Sequence, residues 1–249
     1  MRAVSLDHNM LAADLVWLEA VNYFGGRDGA EHRYVRLAGL LDVATTLDPE
    51  FREAYLFGGL ALSSAFGGLE EADNLLIKGQ HRFLQDWRFP FYLGFNALIF
   101  RDDMARAARF FNEAAVIKGS PGFLVGLGPR LQMASGDCEQ SLKMLDDMQA
   151  GSTDQLLLTR VQQRRDHIIW ECNFQIIEKA SQDYTSKHGS AAPSLGSLIQ
   201  AGLLPTGGLL DPYGGQWSIA GDGTVVSSTA RTRLRLRLPR EMIDRIKQW

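Results

Sequence analysis

Cysteine is almost missing from this chain: Cys138 and Cys172 are the only two in 249 residues. Two thiols so far apart make neither a disulfide framework nor a structural zinc site, and they leave the redox compartment undecided. No run of 18 apolar residues occurs, so nothing reads as a transmembrane helix. The first residues have neither the basic region nor the apolar core of an export signal, and Met1-Arg2-Ala3-Val4 leaves open whether a membrane anchor precedes it. Catalytic signatures are absent as well. The histidines His8, His32, His81, His167 and His188 fall in separate elements without a His-x-x-x-His spacing, and there is no Gly-x-Ser-x-Gly, P-loop or Cys-x-x-Cys. Gly25-Gly26, Gly58-Gly59 and Gly67-Gly68 lack the Lys-Ser/Thr that cradles phosphate, and read as turns and close helix contacts. His167 and Glu171, one helical turn apart, read as a surface pair rather than a metal or acid–base site. Asp102-Asp103 and Asp146-Asp147 read as helix-start and surface carboxylates. No catalytic residue, metal ligand or cofactor is expected.

What is present is an ordinary globular composition, 45% apolar and 22% charged, with no sign of disorder. The net charge of −3 argues against a nucleic-acid binder, but it is unevenly spread. Ala230 to Trp249 holds seven basic and two acidic residues, a net +5, so the rest of the chain carries −8.

The most informative stretch is 51–118. Gly59, Ala72, Leu76 and Gly79 are answered, 35 residues on, by Gly94, Ala107, Phe111 and Ala114. A repeat of that length with small residues at three of four sites predicts stacked helical hairpins. Antiparallel helices approach closely only where side chains are small, and one larger residue fills the gap that remains. Helices are expected near 51–66, 70–84, 90–100 and 103–118. A weaker copy begins at Ser120-Pro121-Gly122, turns at Gly136-Asp137 and continues through Ser141, Leu145 and Met148. Upstream, a first hairpin runs from Ser5 to Phe24, with Leu11, Leu15, Leu18 and Val21 along one face and Trp17 and Phe24 widening it, and from His32 to Leu47. This array resembles the tetratricopeptide repeat (TPR) family in Tyr55, Gly59, Glu70-Glu71-Ala72 and the closing Ala44-Thr-Thr-Leu47-Asp48-Pro49. It departs from that pattern in the longer turn Gly67-Gly68-Leu69 and in Pro90, where an aromatic is usual. By the resemblance, the first helices of the hairpins line an inner wall, where spacing places Glu53, Leu56, Leu60, Arg88, Phe91 and Phe95. Such a lining suits an amphipathic helix or extended peptide; the alternative is that these residues pack between repeats. The Lys/Asn clamp of chaperone-binding relatives is not visible.

From Thr153 to His188 no Gly or Pro interrupts a helical pattern, which predicts a helix about 50 Å long. After Gly189 the texture changes to Gly, Pro and Ser. A short helix over 194–199, the turn Asp211-Pro212-Tyr213-Gly214-Gly215, and strands over 216–219 and 224–228 joined at Gly221-Asp222-Gly223 predict a small α+β unit. This stretch resembles the globular part of a type II secretion major pseudopilin, a relative of type IV pilins. The residues that carry the likeness are Ala180, Tyr184, Gly189, Pro193, Leu195, Leu198, Gly202, Leu204 and Pro205, then Asp211 to Trp217 and Gly223-x-Val225-x-Ser227-Ser228. The family's filament helix and its long acidic calcium loop are missing, so a calcium site on Asp211 and Asp222 is not expected.

Arg231, Arg233, Arg235 and Arg237 alternate with Thr232, Leu234, Leu236 and Leu238, which on a strand puts the guanidinium groups on one face. That basic face either lies in water above a leucine core or meets an acidic protein surface or anionic lipid head groups; without interleaved aromatics, nucleic acid is not expected. Pro239 ends the strand, and a short helix is expected over 241–249.

The combination also resembles bacterial envelope proteins in which TPR hairpins precede a pseudopilin-like module and Ala13-Asp14-Leu15-Val16-Trp17 follows a membrane anchor. The expected fold is mainly α, with a TPR-like helical domain over 1–152 and a long helix with a small α+β domain over 153–249. The expected function is a non-enzymatic scaffold of the cell envelope, on the periplasmic side and holding protein partners of a secretion or type IV pilus-like machinery. A cytoplasmic TPR adaptor and an envelope-polymer enzyme are the alternatives.

Overall fold

The computed structural model describes residues 8–26, 36–64, 68–134 and 136–234. Among them the chain is mainly helical, with ten α-helices and one small antiparallel two-stranded sheet near the C-terminus. It divides into two compact units that meet between Gly128 and Pro129.

The first unit holds α1 (Asn9–Gly25), α2 (Leu37–Leu47), α3 (Arg52–Ser64), α4 (Leu69–Arg82), α5 (Arg88–Ile99) and α6 (Met104–Val116). They pair as α1 with α2, α3 with α4 and α5 with α6, and successive pairs stack through α2 on α3 and α4 on α5. The glycines of the repeat make the close approach possible. A Cβ on Gly94 would lie 2.7 Å from the Phe111 ring, and one on Gly59 would collide with the Leu76 side chain. In both hairpins the glycine of the first helix therefore receives the large residue of the second. Gly79 does the same between pairs, where a Cβ would strike the ring of Phe89. Phe89 stacks on Phe83 at 5.7 Å, and Tyr55, whose hydroxyl donates to the carbonyls of Thr45 and Pro49, meets both rings edge-on. A polar cluster joins the second and third pairs: buried Asp73 of α4 accepts from Asn96 at 3.0 Å and from Arg101 at 2.9 Å.

The expected apolar face of α1 is not the buried one. Ala13 and Ala20 are buried, and Trp17 and Phe24 pack against Phe57, whereas Leu11, Leu15 and Leu18 are 60%, 61% and 55% exposed. The two alanines admit a neighbouring helix more closely than leucines would, and the aromatics beside them supply the apolar area. The residues before Arg36 in the expected second helix lie outside the described residues.

The second unit holds most of α7 (Leu127–Ala134), then α8 (Cys138–Ala150), α9 (Gln155–His188), α10 (Leu195–Gln200), β1 (Trp217–Ile219) and β2 (Val225–Ser227). The fourth pair does not repeat the first three. Eight-residue α7 is too short to run the length of α8, which packs along α9 instead and is bonded to it by a disulfide between Cys138 and Cys172. α9 starts where the Asp154 carboxylate accepts from the amides of Leu156 and Leu157, and stops at Gly189 in the left-handed conformation that favours glycine. Its 34 residues make a rod about 50 Å long. The strands are in register with Trp217 opposite Ser227 and Ile219 opposite Val225. Trp217 packs on Trp170 and Phe174 of α9, and Ala180, Leu198 and Leu204 complete this core.

Candidate partner-binding surface

In the first unit, the first turns of α3 and α5 open onto a depression of about 540 Å³ lined by Arg52, Phe83, Gln85, Asp86, Trp87, Arg88, Lys118 and Gly119. Its charges form a chain. Arg52 donates to Glu53 at 2.8 Å and stands 4.0 Å from Asp86, and Asp86 accepts from Arg88 through both Nε and Nη2. Glu53 is held below the usual carboxylate range, chiefly by its bond from Arg52. Burial pushes Asp86 up, but the bonds from Arg88 outweigh it and leave the carboxyl low, while Asp86 raises the Arg88 guanidinium in return. Fork-to-carboxylate bonding of this kind fixes both side chains in place. Lys118, exposed at the rim, is the cation of this set without a carboxylate partner among the described residues.

Of the six residues expected on an inner wall, only Arg88 lines this depression, with Glu53 close enough for its charge to act on Arg88. Phe91 is half-buried in an aromatic group with Trp87, Tyr92, Phe111 and Phe123, and Phe95 packs on Phe100. Leu56 packs against the core of this unit, and Leu60 is 41% exposed. The two phenylalanines thus each contact neighbouring rings and are only partly exposed. Arg52, Asp86, Trp87 and Lys118 were missed. The one signal for them was a cluster of charged and aromatic residues at helix starts, which sequence alone does not separate from ordinary caps.

The basic ladder differs more. Residues 231–234 form no strand, because α9 takes up their polar groups. His167 Nε2 donates to the carbonyl of Thr232 at 3.0 Å. Glu171, 1% exposed, accepts from Arg233 Nε at 2.8 Å and from the amide of Leu234 at 2.9 Å. Arg233 also lies 3.7 Å over the ring of Phe174, and Arg231 lies 3.9 Å over that of Tyr213. His167 and Glu171 therefore fasten a chain segment, and Arg233 is spent inside the unit. Arg235, Arg237 and the helix expected over 241–249 lie outside the described residues.

Asp211 explains the Asp-Pro-Tyr-Gly turn. One carboxylate oxygen accepts from Trp170 Nε1 at 3.2 Å, Ser227 Oγ at 2.6 Å and Thr229 Oγ1 at 2.8 Å, and the other accepts from the Tyr213 amide at 2.8 Å. Burial pushes this carboxyl up, yet the four bonds together hold it below its ordinary value. Among the described residues no group of three or more His, Cys, Asp or Glu is placed to hold a metal ion, and no helix is long and apolar enough to cross a membrane.

Comparison with known protein families, with curated proteins and with solved structures finds no match for this chain.

Proposed function

We propose that this protein is a non-enzymatic scaffold of the bacterial cell envelope, a TPR-like hairpin stack joined to a pseudopilin-like module, which holds protein partners of a secretion or type IV pilus-like machinery. The observation that carries the proposal is the open depression at Arg52, Trp87, Arg88 and Lys118, built on stacked hairpins by ion pairs that fix its walls. Its aromatic floor and free rim lysine suit an extended peptide that brings an acidic group to Lys118 and apolar side chains to Phe83 and Trp87. The exposed leucine stripe of α1 adds a second apolar surface in the same unit, of the kind that protein partners cover. A disulfide between Cys138 and Cys172 favours an oxidising compartment over the cytosol, which supports the envelope location over a cytoplasmic adaptor.

The test compares partners captured from envelope extracts by the unaltered chain and by a Lys118→Glu, Gln85→Ala chain. Both positions are exposed, so the fold is not at stake. Loss of a defined set of envelope proteins from the variant is the expected result; identical recovery would remove the depression from the function.

A further inference from the structure

A second cavity of the first unit, a groove of about 390 Å³ between α2 and α4, shares no lining residue with the depression at Arg52 and Trp87. Its walls are two helix faces. Glu71, Asn74, Leu75 and Lys78 stand at positions i, i+3, i+4 and i+7 of α4, and Gly39 and Asp42 face them from α2. Leu62 of α3 joins Leu75 to make an apolar floor that rests on the core, the two side chains being 2% and 5% exposed. Gly39 leaves the α2 wall bare, since nothing lies within 4 Å of the place a Cβ would take.

The charges along this groove do not balance. Lys78 is the one cation among the described residues that line it. An ammonium has three protons, and those of Lys78 are met by the Asp42 carboxylate at 2.8 Å, the Thr46 hydroxyl at 2.9 Å and the Thr45 hydroxyl at 3.0 Å. This strap ties α4 to α2 and leaves no donor over. Glu71, two turns away on α4, is exposed and makes no ion pair or hydrogen bond among the described residues. Asn74 beside it is also exposed and presents an amide that both donates and accepts. Two carboxylates against one cation leave the groove with one negative charge in excess. A bare divalent ion does not suit it, because such an ion asks for more oxygen ligands than one open carboxylate supplies. An apolar floor with a carboxylate at its rim matches a side chain that has a long aliphatic stem and a cationic tip.

We infer that the groove between α2 and α4 docks a basic peptide segment of a partner protein. An arginine or lysine of that segment lays its stem over Leu62 and Leu75 and brings its charge to Glu71, while Asn74 bonds the peptide backbone. The inference rests on the scaffold reading for the partner being a protein. It adds a site whose charge preference is opposite to that of the depression, which takes an acidic group at Lys118.

The test titrates the isotopically labelled full chain with the N-acetylated, C-amidated tetrapeptide Ala-Leu-Arg-Ala, and separately with Ala-Leu-Glu-Ala, and follows backbone amides by nuclear magnetic resonance. The arginine peptide should shift the amides of Gly39, Asp42, Glu71 and Asn74 to saturation, and the glutamate peptide should not. Glu71→Gln, which removes the charge at constant shape, should weaken the arginine peptide at least threefold. Gly39→Leu, which puts a side chain into the open space of an exposed helical position, should weaken it at least tenfold. No saturable shift at these amides, an equal response to the glutamate peptide, or an affinity unchanged by either substitution would overturn the site. Should Gly39→Leu fail to fold by circular dichroism, Glu71→Gln decides. Capture from envelope extracts by the Lys118→Glu, Gln85→Ala chain reads the depression alone, so failure of the groove and failure of the depression are told apart.

Discussion

Gly94→Ala tests the close approach on which the hairpin stack depends. The new methyl would sit 2.7 Å from Cε1 and 2.8 Å from Cδ1 of Phe111, a ring that is 2% exposed and held by its neighbours. Overpacking of this kind costs about 1–3 kcal/mol. Replacing a helical glycine by alanine returns about 1 kcal/mol through helix propensity, so the net change for Gly94→Ala runs from about zero to a loss of about 2 kcal/mol. The control lies in the same unit. Gly39 of α2 is exposed with nothing within 4 Å of its absent Cβ, so Gly39→Ala collects the propensity gain alone. Urea unfolding followed by far-ultraviolet circular dichroism should place Gly39→Ala above the unaltered chain and Gly94→Ala at or below it, the two separated by about 1–3 kcal/mol. Gly59→Ala should fall with Gly94→Ala, since Leu76 stands where Phe111 does one repeat later. Equal stabilisation by Gly39→Ala and Gly94→Ala would refute the steric account of the repeat.

Two further outcomes concern the second unit. Cys172→Ser removes a cross-link across 34 residues, and chain entropy puts the loss at about 4 kcal/mol; thermal unfolding with and without reductant should show the unaltered chain weakened by reductant and the variant indifferent to it. His167, held below its ordinary 6.5 by burial, binds a proton more readily in the unfolded chain, so its contribution to stability is present above that pH and lost as pH falls toward the depressed value. Melting temperature should therefore drop between about pH 7 and about pH 5, and less steeply in His167→Gln.

The helical pairs were legible because their signal is local and repeated: one large residue recurs opposite one glycine, and the spacing alone reports both. The long α9 was legible from its unbroken pattern and the glycine that ends it. Side chains that choose between faces were not. Leucine periodicity on α1 pointed to Leu11, Leu15 and Leu18, but a helix is drawn to its partner by whichever face allows the closer contact, and alanine carries almost no hydropathy signal. The Arg231 to Leu238 alternation read as a strand because nothing in a linear pattern announces that Glu171 and His167, over sixty positions earlier, will take the segment's hydrogen bonds. The disulfide was hidden for the same reason, since its partners meet only once α8 lies along α9. Of the residues lining the depression, only Arg88 was among those expected from spacing; Asp86 and Lys118 needed coordinates, because they come together only where two hairpins meet.

The bridge between α8 and α9 also determines how the second unit would respond to tension. A force applied to the two ends of the chain passes through the sulfur atoms and never reaches the 33 residues between them, so most of α8 and the front half of α9 stay slack under load. The extensible contour is shorter by roughly 110 Å for as long as the sulfurs remain bonded. While the bridge holds, the second unit would thus lengthen under load as a shorter segment than its residue count implies.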